Sequence, residues 1–293
     1  MIKACLKKCL PPVFIDFYRI CSYGRLPASG VYDTWEHACE RLHGKDYCDR
    51  EISALVAFRT KQLLKNPETL PFSLSALQTI AAMGQILIET EKSRLSVLDI
   101  GGACGLHYHQ IKKCFPSISF DWHVLETEVM AEDGSKTGNY EELKFFTKIG
   151  DLTAYDFIHC SGTLGYIPEC ESLLDSILGS GCEYILLSRT SHVKGEKDIF
   201  ITQWHPLHLN GPGKMLPPGF KDKVVGYPAR IFSKERLKKS CREIIQSAGK
   251  LMTIVHSYRC KGMKSAEFLI SCKRNSVIAL CRIRIMFCVD GRH

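Results

Sequence analysis

From Leu95 onward the chain alternates short apolar runs with stretches of helical spacing. The runs Ser96–Ile100, Ser119–Leu125, Lys144–Phe146, Asp156–Cys160 and Tyr184–Ser188 read as strands bounded by turn-forming residues. Helices are expected over Leu106–Cys114 and Glu169–Leu178, with a helix or loop over Thr127–Asn139. Such alternation predicts an α/β fold, a mostly parallel sheet with helices on both faces. Ahead of it, Asp33 and Thr34 offer caps to a helix carrying Trp35, Ala38 and Leu42, and Glu51–Leu64 stops before Asn66-Pro67. In Ser73–Glu91 the residues Leu74, Leu77, Ile80, Ala81, Gly84, Leu87 and Ile88 form a stripe of period 3.6, expected to face the core. Residues 22–34 read as linker and turn, and Asn210–Pro228, rich in Gly and Pro, as a long loop or lid. Ser233 caps a helix to Ser247, and Met252–Tyr258 and Ala266–Cys272 would close a seven-stranded sheet as an antiparallel hairpin.

The chemistry gathers where the first sheet strand ends. Asp99-Ile100-Gly101-Gly102-Ala103-Cys104-Gly105 is a strand running into a glycine turn, and an acid, Glu126, follows about 20 residues on, at the end of the next strand. Glycine lets main chain approach a ligand, and the second acid suits a ribose diol. The dinucleotide pattern Gly-x-Gly-x-x-Gly fails from either start: Gly101 requires glycine at Ala103 and Leu106, and Gly102 requires it at Cys104 and His107. A Walker phosphate loop is also missing. The remaining pattern, Asp-x-Gly-x-x-x-Gly, resembles motif I of class I S-adenosylmethionine-dependent methyltransferases.

Ligands of open parallel sheets sit beyond the carboxyl ends of the strands. On that rule Asp99, Gly101, Gly102, Ala103 and Gly105 form the cofactor turn, Glu126 takes the ribose, and Thr147 meets adenine by position. Cys160 and Ser161 would lie under the sulfonium. Arg189 and His192, after the fifth strand, would face the acceptor, the arginine holding an anion and the histidine taking a hydroxyl proton. His159, mid-strand, reads as a core group. Trp204-His205-Pro206-Leu207-His208 shows two histidines but no third ligand, so no metal is expected, and the segment suits a pocket wall instead.

Composition narrows the surroundings. The 293 residues carry fifteen cysteines, odd in number and without Cys-x-x-Cys spacing, and no convincing cleavable signal precedes them, as expected of reduced thiols in the cytoplasm. The net charge of +8 sits on the ends. Lys3, Lys7, Lys8, Arg19 and Arg25 face only Asp16 within residues 1–25, and Lys273, Arg274, Arg282, Arg284 and Arg292 face only Asp290 within 273–293. A balanced middle argues against nucleic acid as partner, and basic, apolar ends suit peripheral contact with an anionic membrane. No apolar run approaches the ~20 residues that span a bilayer.

Across Gly30–Lys239 the chain resembles bacterial methyltransferases associated with surface-polysaccharide biosynthesis. The likeness rests on Gly30-Val31-Tyr32-Asp33-Thr34-Trp35, Val97 through Gly102, Glu126, Leu143-Lys144-Phe145-Phe146, Ser161 through Tyr166-Ile167, Arg189-Thr190, and Tyr227-Pro228-Ala229-Arg230-Ile231-Phe232-Ser233. It implies a Rossmann-like class I methyltransferase fold with an N-terminal helical extension, S-adenosylmethionine as cofactor, and a sugar hydroxyl of a surface glycan or its precursor as acceptor. The implied organisation is a basic, apolar segment 1–29, a helical extension 30–92, the methyltransferase domain 93–273 and a basic, apolar tail 274–293. Ser188 and Gly165 depart from residues common in the family, both on the acceptor side. Two other readings remain: a noncatalytic nucleoside-binding protein of the same fold, and a nucleotide-sugar or dinucleotide enzyme.

Overall fold

The computed structural model describes residues 28–42, 49–148 and 150–237. In chain order the elements are β1 (Ala28–Tyr32), α1 (Trp35–Glu40), α2 (Arg50–Leu64), α3 (Leu74–Thr90), β2 (Arg94–Ile100), α4 (Leu106–Cys114) and β3 (Ser119–Leu125). Then come α5 (Glu128–Ser135), β4 (Leu143–Phe146), β5 (Phe157–Ser161), α6 (Cys170–Gly179), β6 (Tyr184–Ser188), β7 (His192–Val193), β8 (Ile199–Pro206) and β9 (Val224–Ser233). The expected closing strands 252–258 and 266–272, the expected helix beyond Leu237, and both charged ends lie outside the described residues.

Five strands form a parallel sheet in the order β4-β3-β2-β5-β6, so strand order reverses between β2 and β5. This is a doubly wound, Rossmann-like sheet. Its central strands are buried along nearly their whole length, which is why they read as continuous apolar runs. Side chains cap the helices where the sequence offers them. Thr34 accepts from the His37 amide, Asp49 from Glu51 and Ser73 from Ala76.

Three expectations are corrected. First, α3 turns its other side to the core. Ala76, Thr79, Ala82, Met83 and Ile86 are buried, whereas Leu74, Leu77 and Ile88 are 46%, 49% and 78% exposed. Polar positions are buried here because partners receive them: the Thr79 hydroxyl donates to the Ser75 carbonyl at 2.9 Å and meets His159 at 3.1 Å. Second, Ala28–Tyr32 is not linker. It pairs antiparallel with β8. Third, the stretch from 199 to 233 holds two long strands. β8 and β9 form an antiparallel ribbon in a second sheet of order β1-β8-β9-β7. Gly226 suits this strand because a Cβ there would lie 2.4 Å from the Trp204 ring.

The ribbon alternates faces. Ile201, Gln203, His205, Tyr227 and Ile231 line a cleft, while Phe200 packs edge-on against Trp35 of α1, with ring centroids 6.4 Å apart. The ribbon is tied to the parallel sheet's helices through Arg230. Its guanidinium reaches Glu171 of α6 at 2.5 Å and stacks on Phe200 at 4.9 Å.

Candidate functional site

The β2–β3–β5 register brings three strand ends level, because Ile100 pairs with both Leu125 and Cys160. Gly101, Glu126 and Ser161 therefore emerge side by side at the switch point, into a cleft of about 1610 Å³. Pockets for one small ligand usually run to about 300–1,000 Å³, so this cleft has room for two reactants. The ribbon forms its far wall, and Asn210–Gly213 close one side.

Glu126 is the best-defined group. Oε1 accepts the Ala103 amide at 2.9 Å and Oε2 accepts the Thr127 amide at 3.0 Å. A carboxylate has about four lone-pair sites, so each oxygen keeps one for a further donor from the cleft. Burial raises the Glu126 pKa, the two amide bonds pull it back in part, and nearby Asp99 adds to the rise.

The glycines act differently from the expectation. Gly101 and Gly105 have φ of +70° and +74°, which the turn requires. The space in front of each is already taken. A Cβ on Gly101 would lie 2.0 Å from Thr163 Oγ1, one on Gly102 2.4 Å from Asp99 Oδ2, and one on Gly105 2.8 Å from Leu143. The glycines thus admit the protein's own side chains, and the turn is shaped by packing. Ala103, at φ +50°, is the strained residue of the turn, and Glu126 holds its amide.

Of the residues expected at the cofactor, Gly101, Gly102, Ala103, Glu126, Thr147 and Ser161 line the cleft. Three do not. Asp99 is 1% exposed beneath the turn, Gly105 is packed on Leu143, and Cys160 belongs to the core, its thiol pushed up to about 12 by burial. Side-chain alternation explains Cys160: Ser161, one residue on, takes the cleft side. Its hydroxyl accepts from Ser188 Oγ at 2.9 Å.

The same parity corrects His192. Arg189 and Ser191 line the cleft, while Thr190 is buried and His192 lies on β7 beside Phe232 of β9, outside the cleft wall. Arg189 is exposed, at φ +56°, with its guanidinium carbon 3.1 Å from where a Cβ on Gly162 would stand. The ribbon side of the cleft bears out the expected pocket wall at His205 and adds groups that the sequence did not place there. Tyr166 donates to Gln203 Oε1 at 2.9 Å and meets Tyr227 edge-on at 5.4 Å, and His205 lies against Tyr227 at 5.8 Å. Burial raises the Tyr166 pKa, with Arg189 and the Gln203 bond pulling the other way. Packing accounts for Gly165: a Cβ there would lie 2.7 Å from the Arg230 carbonyl oxygen.

Beneath the turn the structure gathers a group that no spacing revealed. Asp99 Oδ1 lies 3.1 Å from His159 Nδ1, and Oδ2 lies 3.7 Å from His107 Nδ1. Burial works to raise the Asp99 pKa, but the two imidazoles outweigh it and hold the carboxyl well below its ordinary range. Burial lowers the basicity of His159, which Asp99 restores only in part.

Neither a family model nor a curated protein sequence matches this chain. Solved structures give partial likenesses. An S-adenosylmethionine-dependent methyltransferase from Clostridium acetobutylicum matches over 56% of this chain and 78% of its own, at 9% identity and a TM-score of 0.35. An amino pentose methyltransferase of calicheamicin biosynthesis from Micromonospora echinaspora, bound to S-adenosylmethionine, matches over 64% and 87%, at 12% identity and 0.36. A plantazolicin methyltransferase in complex with S-adenosylhomocysteine matches over 49% of this chain and 58% of its own, at 16% identity and 0.31. Likeness at this level identifies no ligand, and the function is argued below from this chain's own residues.

Proposed function

We propose that the chain is an S-adenosylmethionine-dependent methyltransferase acting on a sugar hydroxyl of a surface glycan or its precursor. The observation that carries this reading is Glu126. Two main-chain amides fix its carboxylate at the switch-point edge, and both oxygens keep acceptor capacity toward the cleft. A ribose diol offers the two donors that such a carboxylate fits.

The other residues suit the rest of the cofactor. Leu125 and Thr147 line the side where an adenine would lie, and the turn 101–104 lines the side of the amino-acid head. When bound, S-adenosylmethionine supplies a methyl group already activated by a sulfonium. The chain's own contribution is alignment. Arg189 holds an anionic group of the acceptor. Tyr166 and Tyr227 present aromatic surface to a sugar ring, and Gln203, fixed by Tyr166, orients its hydroxyls. His205 takes His192's expected place as general base, receiving the hydroxyl proton on an imidazole nitrogen.

The proposal extends to the ends of the chain. Segments 1–29 and 274–293 carry the basic, apolar residues for peripheral contact with the inner face of the membrane, around a methyltransferase domain 93–273 with its helical extension 30–92. Among the described residues no helix is long and apolar enough to cross a membrane. Equal partition of full-length and end-trimmed protein onto anionic liposomes would remove that part.

Calorimetry with S-adenosylhomocysteine and NAD tests the cofactor. Binding of the former alone is expected; preference for NAD would replace the proposal with a dinucleotide enzyme. Mass spectrometry of glycan extracts incubated with protein and labelled cofactor tests turnover. A bound cofactor with no labelled product across such extracts would make this a noncatalytic binding protein.

A further inference from the structure

The buried group beneath the glycine turn does not balance as a set of hydrogen bonds. Thr79 is fully buried and has one hydroxyl hydrogen, which it directs to the Ser75 carbonyl at 2.9 Å. The 3.1 Å contact between Thr79 Oγ1 and His159 Nε2 is then satisfied by a hydrogen on Nε2. That assignment leaves Nδ1 of His159 presenting a lone pair to Asp99 Oδ1 at 3.1 Å. The other oxygen, Asp99 Oδ2, is buried and has no hydrogen-bond partner, and Nδ1 of His107 stands 3.7 Å from it. Asp99 and His159 are 1% and 0% exposed, so bulk solvent does not reach the pair. Three donor atoms converge, and something positive is needed between them.

We propose that Asp99, His107 and His159 form a binding site for a first-row transition-metal dication of the zinc class. The donor set is two imidazole nitrogens and a carboxylate, the composition that such ions take with an open position. The three donor atoms all lie within 4.8 Å of one another. Around a tetrahedral ion with bonds of about 2.1 Å, donor atoms stand roughly 3.4 Å apart. The 3.1 Å separation is to Asp99 Oδ1 and the 3.7 Å one to Oδ2, so each carboxylate oxygen faces one imidazole and an ion between the rings can be held by either oxygen or by both. His107 lies on the cleft wall, where its ring has room to draw in and through which an ion can enter. The Ser75–Thr79–His159 chain supplies the outer hydrogen bond that metal-bound histidines characteristically make, and it fixes Nδ1 as the ligating nitrogen. A proton on Nδ1 of His159 is the simpler occupant. It answers one contact and leaves Oδ2 without a partner.

The inference does not depend on what the cleft binds. Its test uses the full-length protein stripped with a chelator, then titrated with Zn²⁺ by calorimetry and with Co²⁺ by visible absorption, both without cofactor. One ion per chain and ligand-field bands of a nitrogen- and oxygen-ligated Co²⁺ are expected. His107→Ala, at the cleft wall, should weaken uptake at least about tenfold, and Thr79→Val, close in shape, should weaken it and alter the Co²⁺ spectrum. No uptake by the wild-type chain overturns the proposal. So does uptake that His107→Ala leaves unchanged, or imidazole NMR signals reporting a protonated His159 in the metal-exposed protein, which would mean an imidazolium–carboxylate pair only. S-adenosylhomocysteine binding, measured on the same samples, separates failure here from failure of the methyltransferase reading.

Discussion

Glu126 Oε1 accepts the amide of Ala103 at 2.9 Å, and Ala103 is a non-glycine residue at φ +50°. One carboxylate thus holds the strained residue of the turn and faces the cleft. Removing it should cost both. On the proposed reading Glu126→Ala forfeits two charge-assisted hydrogen bonds to a ribose, about 3 kcal/mol together, or roughly 100-fold in the Kd for S-adenosylhomocysteine. Calorimetry reads the effect. An unchanged Kd would take Glu126 out of the site.

Ala103→Gly should raise stability without weakening cofactor. The left-handed conformation costs an L-residue about 1 kcal/mol, and glycine escapes that cost while keeping the amide that Glu126 needs. A gain of about 2 °C in Tm is expected for a chain of this size. A fall in Tm would show that the alanine methyl contributes packing that outweighs the strain.

Cofactor affinity should fall on acidification earlier than an ordinary carboxylate dictates. Burial places the folded pKa of Glu126 above its ordinary value of 4.5. A diol is held by the ionised form, so binding weakens as pH drops through that raised value. Stability of the ligand-free protein runs the other way. A raised folded pKa gives a contribution fully present below 4.5 and lost as pH rises through the folded value. The Tm increase caused by S-adenosylhomocysteine should therefore grow with pH across this window. A thermal-shift series from about pH 4 to about pH 8 brackets the raised value and checks it, and a flat series would assign the acid limb elsewhere.

The parallel sheet was legible because β2, β5 and β6 are buried along nearly their whole length. They read as apolar runs between turn residues, and β3, α4 and β6 begin and end at the expected residues. The ribbon was not. Gly226 and Pro228 read as breakers, yet the glycine makes room for Trp204, and β7 pairs with β9 only at Phe232 and Ser233, beyond the proline. Helix α3 misled for a related reason. Leu74, Leu77 and Ile88 keep helical spacing, but the opposite side carries Thr79 to His159, a contact across 80 residues that no local pattern encodes. In the site, Glu126 was readable from its distance behind the glycine turn. His205 was legible only as part of a pocket wall, Gln203 was not legible at all because its place follows from the ribbon, and a one-residue parity error added Cys160 beside Ser161 and chose His192 rather than Ser191.

Gly165→Ala should damage the cleft around Tyr166, where the acceptor is proposed to lie. The added Cβ would lie 2.7 Å from a main-chain oxygen of β9, which cannot rotate away as a side chain would. Overpacking of this kind costs about 1–3 kcal/mol. The turn Leu164–Tyr166 must shift, carrying Tyr166 from Gln203. A lower Tm with a cofactor Kd near wild type is expected, together with loss of product formation. Full product formation would place the acceptor away from Tyr166.

Arg59 of α2 should prove indispensable to the cleft's loop wall. It is 3% exposed, and its Nε, Nη1 and Nη2 donate to the carbonyls of Met215, Asn210 and His208 at 2.8, 2.6 and 3.0 Å. One guanidinium thus ties down the stretch that supplies Asn210–Gly213 to the cleft. Arg59→Met keeps apolar bulk and strands three carbonyls, for a loss of about 3 kcal/mol. Arg59→Lys should recover little, since a single ammonium cannot reproduce the planar fork. Hydrogen exchange across residues 208–219 should quicken in both variants, while the amides of β2 and β5 stay protected. Uniform acceleration through the sheet would instead make Arg59 a global stabiliser with no particular hold on the loop.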